Sequence, residues 1–345
     1  MIRFECDYAE GCHPKILEAL QKTNFEQTCG YGLDPHSKKA EELIKKACEN
    51  EDARVYLVSG GTQANKVVIA QVLRPHQGVV SVEGGHIAHH EAGAIESSGH
   101  KVVTLKPENG KLKAETLKAY LADYWADDTH EHIVQPGMVY ISSPTELGTV
   151  YTKAELSALH NVCREYNIPL YLDGARLGYG FASKDNDLTL ADLSRVTDIF
   201  YIGGTKVGAL FGEAIVFNGD KGLDRDFRSL IKQNGAMLAK GRILGIQFEE
   251  LFKDNLYFDI SRKAVEQAER IKKAFLGKGY KLWIDSPTNQ QFPILPKDAI
   301  NKLKEKFAFL IWPDTGEPEL ITRFCTSWAT KDEDVDKLID EINKL

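Results

Sequence analysis

Four short segments of this 345-residue chain hold residues whose types and spacing could do covalent chemistry. Lys206 follows the apolar run Asp198-Ile199-Phe200-Tyr201-Ile202 through a Gly203-Gly204-Thr205 turn. A lysine held in apolar surroundings loses its proton more readily, and a neutral amine can form a Schiff base with a carbonyl. A phosphate-gripping or solvated loop lysine fits the stretch equally well. Asp173 closes a second apolar run, Pro169-Leu170-Tyr171-Leu172, ahead of Gly174-Ala175-Arg176. Ligands of open α/β sheets bind at that strand edge. A buried carboxylate there needs a partner, such as a protonated ring nitrogen, unless it caps the next helix.

The third segment, Ser59-Gly60-Gly61-Thr62-Gln63-Ala64-Asn65, reads as a Gly-rich turn between a strand and a helix. Free N–H groups, the helix dipole and the Ser59 or Thr62 hydroxyl would suit a phosphate. Neither GxGxxG nor GxxxxGK[ST] occurs there, so a dinucleotide fingerprint and a P-loop are excluded; a plain tight turn remains open. The fourth segment is Gly84-Gly85-His86-Ile87-Ala88-His89-His90-Glu91. His86 could stack on a flat heteroaromatic ring. A metal reading fits none of the HExxH patterns, and no metal is expected here. Taken together, a phosphate cup, a stacking histidine, an aspartate and a lysine 33 residues beyond it are what a pyridoxal-phosphate enzyme needs.

The elements that must position these residues are legible in the apolar pattern. Short runs at 55–58, 78–82, 101–105, 138–141, 169–172, 198–202 and 213–217 are apolar on both faces, as in a parallel sheet buried between helices. Helical patterns lie at 37–49, 62–73, 153–167 and 259–278, the first reading as if it opened on Ser37 with Glu41 one turn in. The expected fold class is α/β, with a large domain at 1–243 and a smaller α+β domain at 244–345. Forty-three basic against fifty acidic residues give a formal charge of -7, with no footprint for nucleic acid or an anionic membrane. No stretch approaches ~18 apolar residues, so a spanning helix is excluded. The charged start, with Arg3, Glu5, Asp7 and Glu10, argues against a signal peptide. The six scattered cysteines show no paired pattern, and the expected setting is cytoplasmic.

With these motifs in hand, the chain resembles the threonine aldolase / β-eliminating lyase family of fold-type-I pyridoxal-phosphate enzymes. The likeness runs through Asp7-Tyr8, Gly11, His13-Pro14, Gly30-Tyr31-Gly32, the GGTQAN at 60–65 and Glu83-Gly84-Gly85-His86. It continues through Leu172-Asp173-Gly174-Ala175-Arg176, Gly204-Thr205-Lys206 and Thr322-Arg323-Phe324. The resemblance implies a seven-stranded, mostly parallel sheet, a smaller domain, and a homodimer or homotetramer with active sites shared between subunits. It implies that Lys206, with Thr205 beside it, is the Schiff-base lysine and that Asp173 pairs with the pyridine nitrogen. His86 would stack on the ring, and Gly61 and Thr62 would hold the phosphate. Arg176, also in reach of the cofactor, and Arg323 would clamp the substrate carboxylate. Lys232 and Lys240 would reach a phosphate of the neighbouring subunit, and Tyr31 would lie near substrate.

Two departures from the family pattern bear on the reaction. Where many members read Asn-Thr-His-Asn-Gly, this chain reads Pro144-Thr145-Glu146-Leu147-Gly148, which replaces a histidine credited with handling the β-hydroxyl. Glu146 can accept a hydroxyl proton if its pKa suits. Cys6 stands where relatives have Ser or Asn, and a thiol is a weaker donor toward a substrate carboxylate. The expected reaction is retro-aldol cleavage of threonine or a related β-hydroxy-α-amino acid to glycine and an aldehyde. The alternative is β-elimination or racemisation on the same cofactor.

Overall fold

Every apolar run singled out above becomes a strand of one sheet. The computed structural model describes residues 1–219, 222–312 and 316–345. After a short β1 (Ile2–Arg3), seven strands line up: β2 (Arg54–Val58), β3 (Gln77–Val82), β4 (Val102–Leu105), β5 (Gln135–Ser142), β6 (Leu170–Asp173), β7 (Ile199–Gly203) and β8 (Glu213–Phe217). Their order is β2-β8-β7-β6-β5-β3-β4. All neighbours are parallel except β8, which runs antiparallel to both β2 and β7. The carboxyl ends of β2, β5, β6 and β7 therefore share one edge with the first residue of β8. Register confirms it: Glu213 lies opposite Val58 and Gly203, and Ser142 lies opposite Asp173.

Alternation along these strands feeds two separate cores. One face sends Val139, Ile141, Leu170, Leu172, Phe200 and Ile202 into a cluster with the helices at Pro35–Ala47 and Lys153–Glu165. The other sends Met138, Tyr140, Tyr171, Ile199 and Tyr201 against the helix Gly61–Val72. Both faces are covered, which is why the runs read as continuously apolar.

The helix expected to open on Ser37 starts earlier. Asp34 is its cap, accepting the Ser37 N–H at 2.8 Å and the Ser37 hydroxyl at 2.7 Å, with Pro35 at the first helical position. Proline lacks the N–H that this position leaves orphaned, so Pro35 favours the earlier start and Ser37 falls inside the first turn.

A third cluster takes Ile271, Phe275, Leu295, Phe307, Phe324 and Leu338, together with Phe4 from the other end of the chain. Around it lie β9 (Gln290–Gln291), β10 (Ile294–Pro296), β11 (Phe307–Ala308), β12 (Leu310–Ile311) and β13 (Glu319–Cys325). Strand β13 pairs antiparallel with β9, β10 and β12, and β1 pairs parallel with β11. The helix Leu256–Gly277 spans both units, giving Leu256, Tyr257 and Val265 to the first core and Ile271 and Phe275 to the third. A division at 243/244 leaves the helix Arg242–Phe252 and the start of this one packed on the sheet side.

Gly174 shows how closely the strand ends approach. A Cβ there would sit 2.0 Å from the Tyr201 carbonyl oxygen, and the Gly174 carbonyl accepts the Gly203 N–H at 3.0 Å. Gly174→Ala is expected to destabilise the fold by about 2–3 kcal/mol, a typical overpacking cost. Urea unfolding followed by circular dichroism checks this; unchanged stability would refute the close approach.

Candidate active site

The shared strand edge opens into a cleft of about 320 Å³ lined by Tyr8, Ser59, Gly60, Gly61, Thr62, His86, Ser142, Pro144, Glu146, Asp173, Ala175, Arg176, Tyr201, Thr205, Lys206 and Glu213. The four segments separated in sequence thus meet on one wall.

Asp173 is sealed in the floor, 4% exposed. Its Oδ2 accepts from the Tyr140 hydroxyl at 2.7 Å and the Asn65 amide at 3.1 Å. Its Oδ1 accepts from the Tyr201 hydroxyl at 2.5 Å and the Ala175 N–H at 3.0 Å. Burial opposes its charge, yet the His86 charge and these donors outweigh it and hold the carboxyl below the ordinary aspartate value. Tyr171, from the strand between, donates its hydroxyl to Asn65 Oδ1 at 2.9 Å.

His86 begins the short helix His86–His89 after β3. Its Nδ1 lies 2.9 Å from Glu91 Oε1, which also accepts from Asn65 at 2.7 Å. Burial works against the imidazolium, but Glu91 and Asp173 raise the His86 pKa above the ordinary histidine value. His89 and His90 are exposed and do not line the cleft.

Glu146 is held from two sides: its Oε1 accepts the His86 N–H at 2.9 Å and the Ser142 hydroxyl at 2.8 Å. Burial, reinforced by Asp173, raises its pKa above the usual carboxylate value.

Among the described residues, Lys206 Nζ makes no hydrogen bond or ion pair. Burial and the Arg176 charge lower its pKa, against the pull of Asp7, Asp173 and Glu213. Next to it, Thr205 Oγ1 donates to Glu213 Oε1 at 2.8 Å and accepts the Gly212 N–H at 2.9 Å.

The helix Gly61–Val72 starts on Gly60 with no side-chain cap. Ser59 is occupied otherwise, giving its N–H and hydroxyl to Gln63 Oε1 at 3.0 and 2.7 Å. The free donors are the N–H groups of the first turn and the Thr62 hydroxyl. A Cβ on Gly61 would sit 3.0 Å from the Tyr201 hydroxyl, so a side chain there would press on a donor to Asp173.

Arg176 lines the cleft, but its fork is already engaged. Nε donates to Asp7 Oδ2 at 2.7 Å and Nη2 to Asp7 Oδ1 at 3.0 Å, and Nη1 has no hydrogen bond among the described residues. Asp7 is fully buried and takes a third bond from the Asn289 amide at 2.9 Å. Burial disfavours its charge, and Arg176, with Lys206 and Asn289, more than offsets this and lowers its pKa. Arg323 and Cys6 do not line the cleft. Arg323 Nη2 donates to the Glu5 carbonyl at 3.1 Å and Nη1 to Gln290 at 3.4 Å, while its buried Nε has no partner. Tyr31, Lys232 and Lys240 also lie off this cleft; Lys232 Nζ sits 4.8 Å from the Tyr31 ring centroid, and Lys240 is exposed.

Sequence reasoning gave no role to Asn65, Glu91, Tyr140, Tyr201 or Glu213. The tyrosines carried a signal: Tyr140 and Tyr201 fall on the same face as Tyr171 of the strand between them, each two residues before its strand end. Glu213, a charged residue heading an apolar strand, carried another.

A bare amine, a carboxylate kept charged by four donors, and an uncapped helix start around one cleft define the class of fold-type-I pyridoxal-phosphate enzymes. The fold agrees: aspartate aminotransferase from Thermus thermophilus (a double mutant) superimposes with a TM-score of 0.72 at 15% identity, covering 100% of this chain and 91% of that one. The beta-eliminating lyase family matches residues 7–281, and the chain belongs to that family. The solved threonine aldolase of Leishmania major is 43% identical with a TM-score of 0.96, over 100% of this chain and 99% of that one. The low-specificity L-threonine aldolase of a Pseudomonas species is 29% identical over 349 residues, 99% of this chain and 97% of its own. The cofactor is pyridoxal phosphate, and the residues fit it: anion donors at Gly61 and Thr62, a charged Asp173 for the ring nitrogen, and an unpaired Lys206 amine.

The Asp7–Arg176 pair yields a stability prediction. Asp7→Ala leaves a buried guanidinium unpaired and is expected to cost about 3–5 kcal/mol. Because the folded-state pKa of Asp7 is lowered, its contribution is present above the ordinary aspartate value and lost as pH falls through the folded value. Urea unfolding at neutral and acid pH measures both. A stability gap between wild type and Asp7→Ala that did not shrink on acidification would refute the pairing.

Proposed function

We propose that this enzyme is a carbon–carbon lyase that cleaves threonine or a related β-hydroxy-α-amino acid into glycine and an aldehyde. The observation that carries the reading is Glu146, a carboxyl group with raised pKa beside His86 on the cleft wall, where this cleavage needs a proton acceptor. The full-length likeness to threonine aldolases supports it.

Bound pyridoxal phosphate supplies the electron sink for the pair left at Cα when the Cα–Cβ bond breaks. Asp173 stays ionised and holds a proton at the ring nitrogen. The N–H groups of Gly61 and Thr62 and the Thr62 hydroxyl hold the phosphate. Lys206, buried and free of hydrogen bonds among the described residues, would be the amine that holds the cofactor. We assign ring stacking to His86, oriented by Glu91. Arg176, braced by Asp7, offers Nη1 to the substrate carboxylate, while Arg323 stands off the cleft with its guanidinium on the Glu5 carbonyl and Gln290. Glu146 takes the β-hydroxyl proton at a carboxylate oxygen as the hydroxyl becomes the carbonyl of the released aldehyde.

We further assign a homodimer or homotetramer in the cytoplasm. Tyr31, Lys232 and Lys240 do not line their own cleft, and Phe25, Tyr31 and Leu33 are exposed apolar surface that a second copy would cover, which supports the assignment. All six cysteines are free, as a reducing compartment keeps them.

Two outcomes test the reading. Lys206→Ala should lose both the visible band of bound cofactor and aldehyde release from L-threonine in a coupled assay. Pyruvate and ammonia from serine, without aldehyde from any β-hydroxy amino acid, would instead establish β-elimination. Glu146→Gln should lower kcat by about 10²–10⁴-fold. Since Glu146 must be ionised to act, wild-type kcat should rise with pH along an acid limb above the ordinary glutamate value. That limb should vanish in Glu146→Gln; its persistence there would assign the proton to another group.

A further inference from the structure

Among the described residues, Glu213 is the one carboxyl group lining the cleft with no part in the chemistry above. It reaches the site because β8 is reversed: the first residue of an antiparallel strand lies where its parallel neighbours end. Both its oxygens grip the lysine loop. Oε2 accepts the Gly204 N–H at 2.9 Å and Oε1 accepts the Thr205 hydroxyl at 2.8 Å, so the two residues before Lys206 are tied to it. Glu213 is itself buried, 4% exposed.

We propose that Glu213 is a positioning residue that fixes the Lys206 loop and, through its own charge, sets the pH at which the Lys206 nitrogen gives up its proton. Such a buried carboxyl beside a buried amine titrates jointly with it. The other charged groups acting on Lys206 are Arg176 and His86, which repel its proton, and Asp7 and Asp173, which attract it; His86, held to Glu91, is common to wild type and the Glu213 variants, so a difference between them reads Glu213 alone. Asp7 is committed to Arg176 and Asp173 has a lowered pKa, so neither changes charge near neutrality. Glu213 does. Burial raises its pKa to about 7, against the pull of Thr205, Lys206 and Gly204, with Asp173 pushing it further up. Above neutrality its charge holds the proton on Lys206. Below neutrality it takes up a proton itself and that hold is released, so the lysine stays able to exchange its bond when the surroundings acidify.

The inference rests on Lys206 as the lysine linked to the cofactor, and its test reads that nitrogen without turnover. The visible band of the cofactor-loaded enzyme is titrated with pH in wild type, Glu213→Gln and Glu213→Asp. In Glu213→Gln the amide oxygen can accept from Gly204 and the amide nitrogen can donate to Thr205 Oγ1, so the latch survives while the charge is removed. The midpoint is expected to fall by about one pH unit, the usual effect of losing a neighbouring opposite charge. Glu213→Asp should restore most of it. An unmoved midpoint with cofactor still bound overturns the proposal and leaves Glu213 as a latch alone. Where Glu213→Gln does not retain cofactor, infrared difference spectra of the loaded protein in a Glu146→Gln background decide. A protonated carboxyl band should vanish over the same pH interval as the visible change; its absence overturns the proposal. A protein that never develops a visible band refutes the Lys206 assignment itself, a result distinct from an unmoved midpoint.

Discussion

The structure is organised around keeping one carboxylate charged in a place that water does not reach. Asp173 sits at the end of β6 with no salt-bridge partner among the described residues, and four hydrogen-bond donors meet its two oxygens. Two of them are tyrosine hydroxyls from the flanking strands β5 and β7, so the site is correct only when three strands are in register. A slip of one residue in β5 or β7 would turn Tyr140 or Tyr201 to the opposite face and leave Asp173 short of a donor. The same polar chain continues through Asn65 to Glu91 and His86, which ties the floor of the cleft to the group assigned to the ring face. The sheet thus acts as the second support for the site as well as its scaffold.

Charge on the cleft wall is balanced by dividing labour among the acids. Asp7 neutralises Arg176, Asp173 faces the ring nitrogen, and Glu146 and Glu213 keep raised pKa values because burial and their neighbours disfavour another negative charge. Pairs of carboxyl groups driven apart in this way can serve opposite roles at a single pH. Lys206 lies among all of them and is bonded to none, the condition for an amine that must exchange partners.

Much of this was legible in the residues alone. The seven runs, the cup at 60–62, Lys206, Asp173 and His86 were visible because each is a local signal: an apolar run closed by a glycine or a charged residue. The start of the first long helix was misplaced because Ser37 mimics a cap that Asp34 and Pro35 supply. Arg176, expected to clamp a substrate carboxylate, spends its Nε edge on Asp7, 169 residues earlier in sequence. No local pattern announces a pair that distant. Glu213 was passed over for a related reason: a strand read as an apolar run does not reveal its direction, and direction alone brings its first residue into the cleft.

The first strand has a consequence for how the molecule is assembled. Ile2 pairs with Phe307, the Phe4 carbonyl accepts from Cys325, and Asp7 is shared between Arg176 and Asn289. Residues 2–7 are thus stitched to segments about 280–320 positions further along the chain. On the ribosome, at roughly 5–20 residues per second, the large sheet can be complete well before Asn289, Phe307 and Cys325 emerge. Until then β1 lacks its strand partner, and Asp7 lacks the Asn289 bond that braces it against Arg176. Competence for catalysis therefore waits on residues 289–325, in one late step of chain closure rather than growing gradually with the sheet.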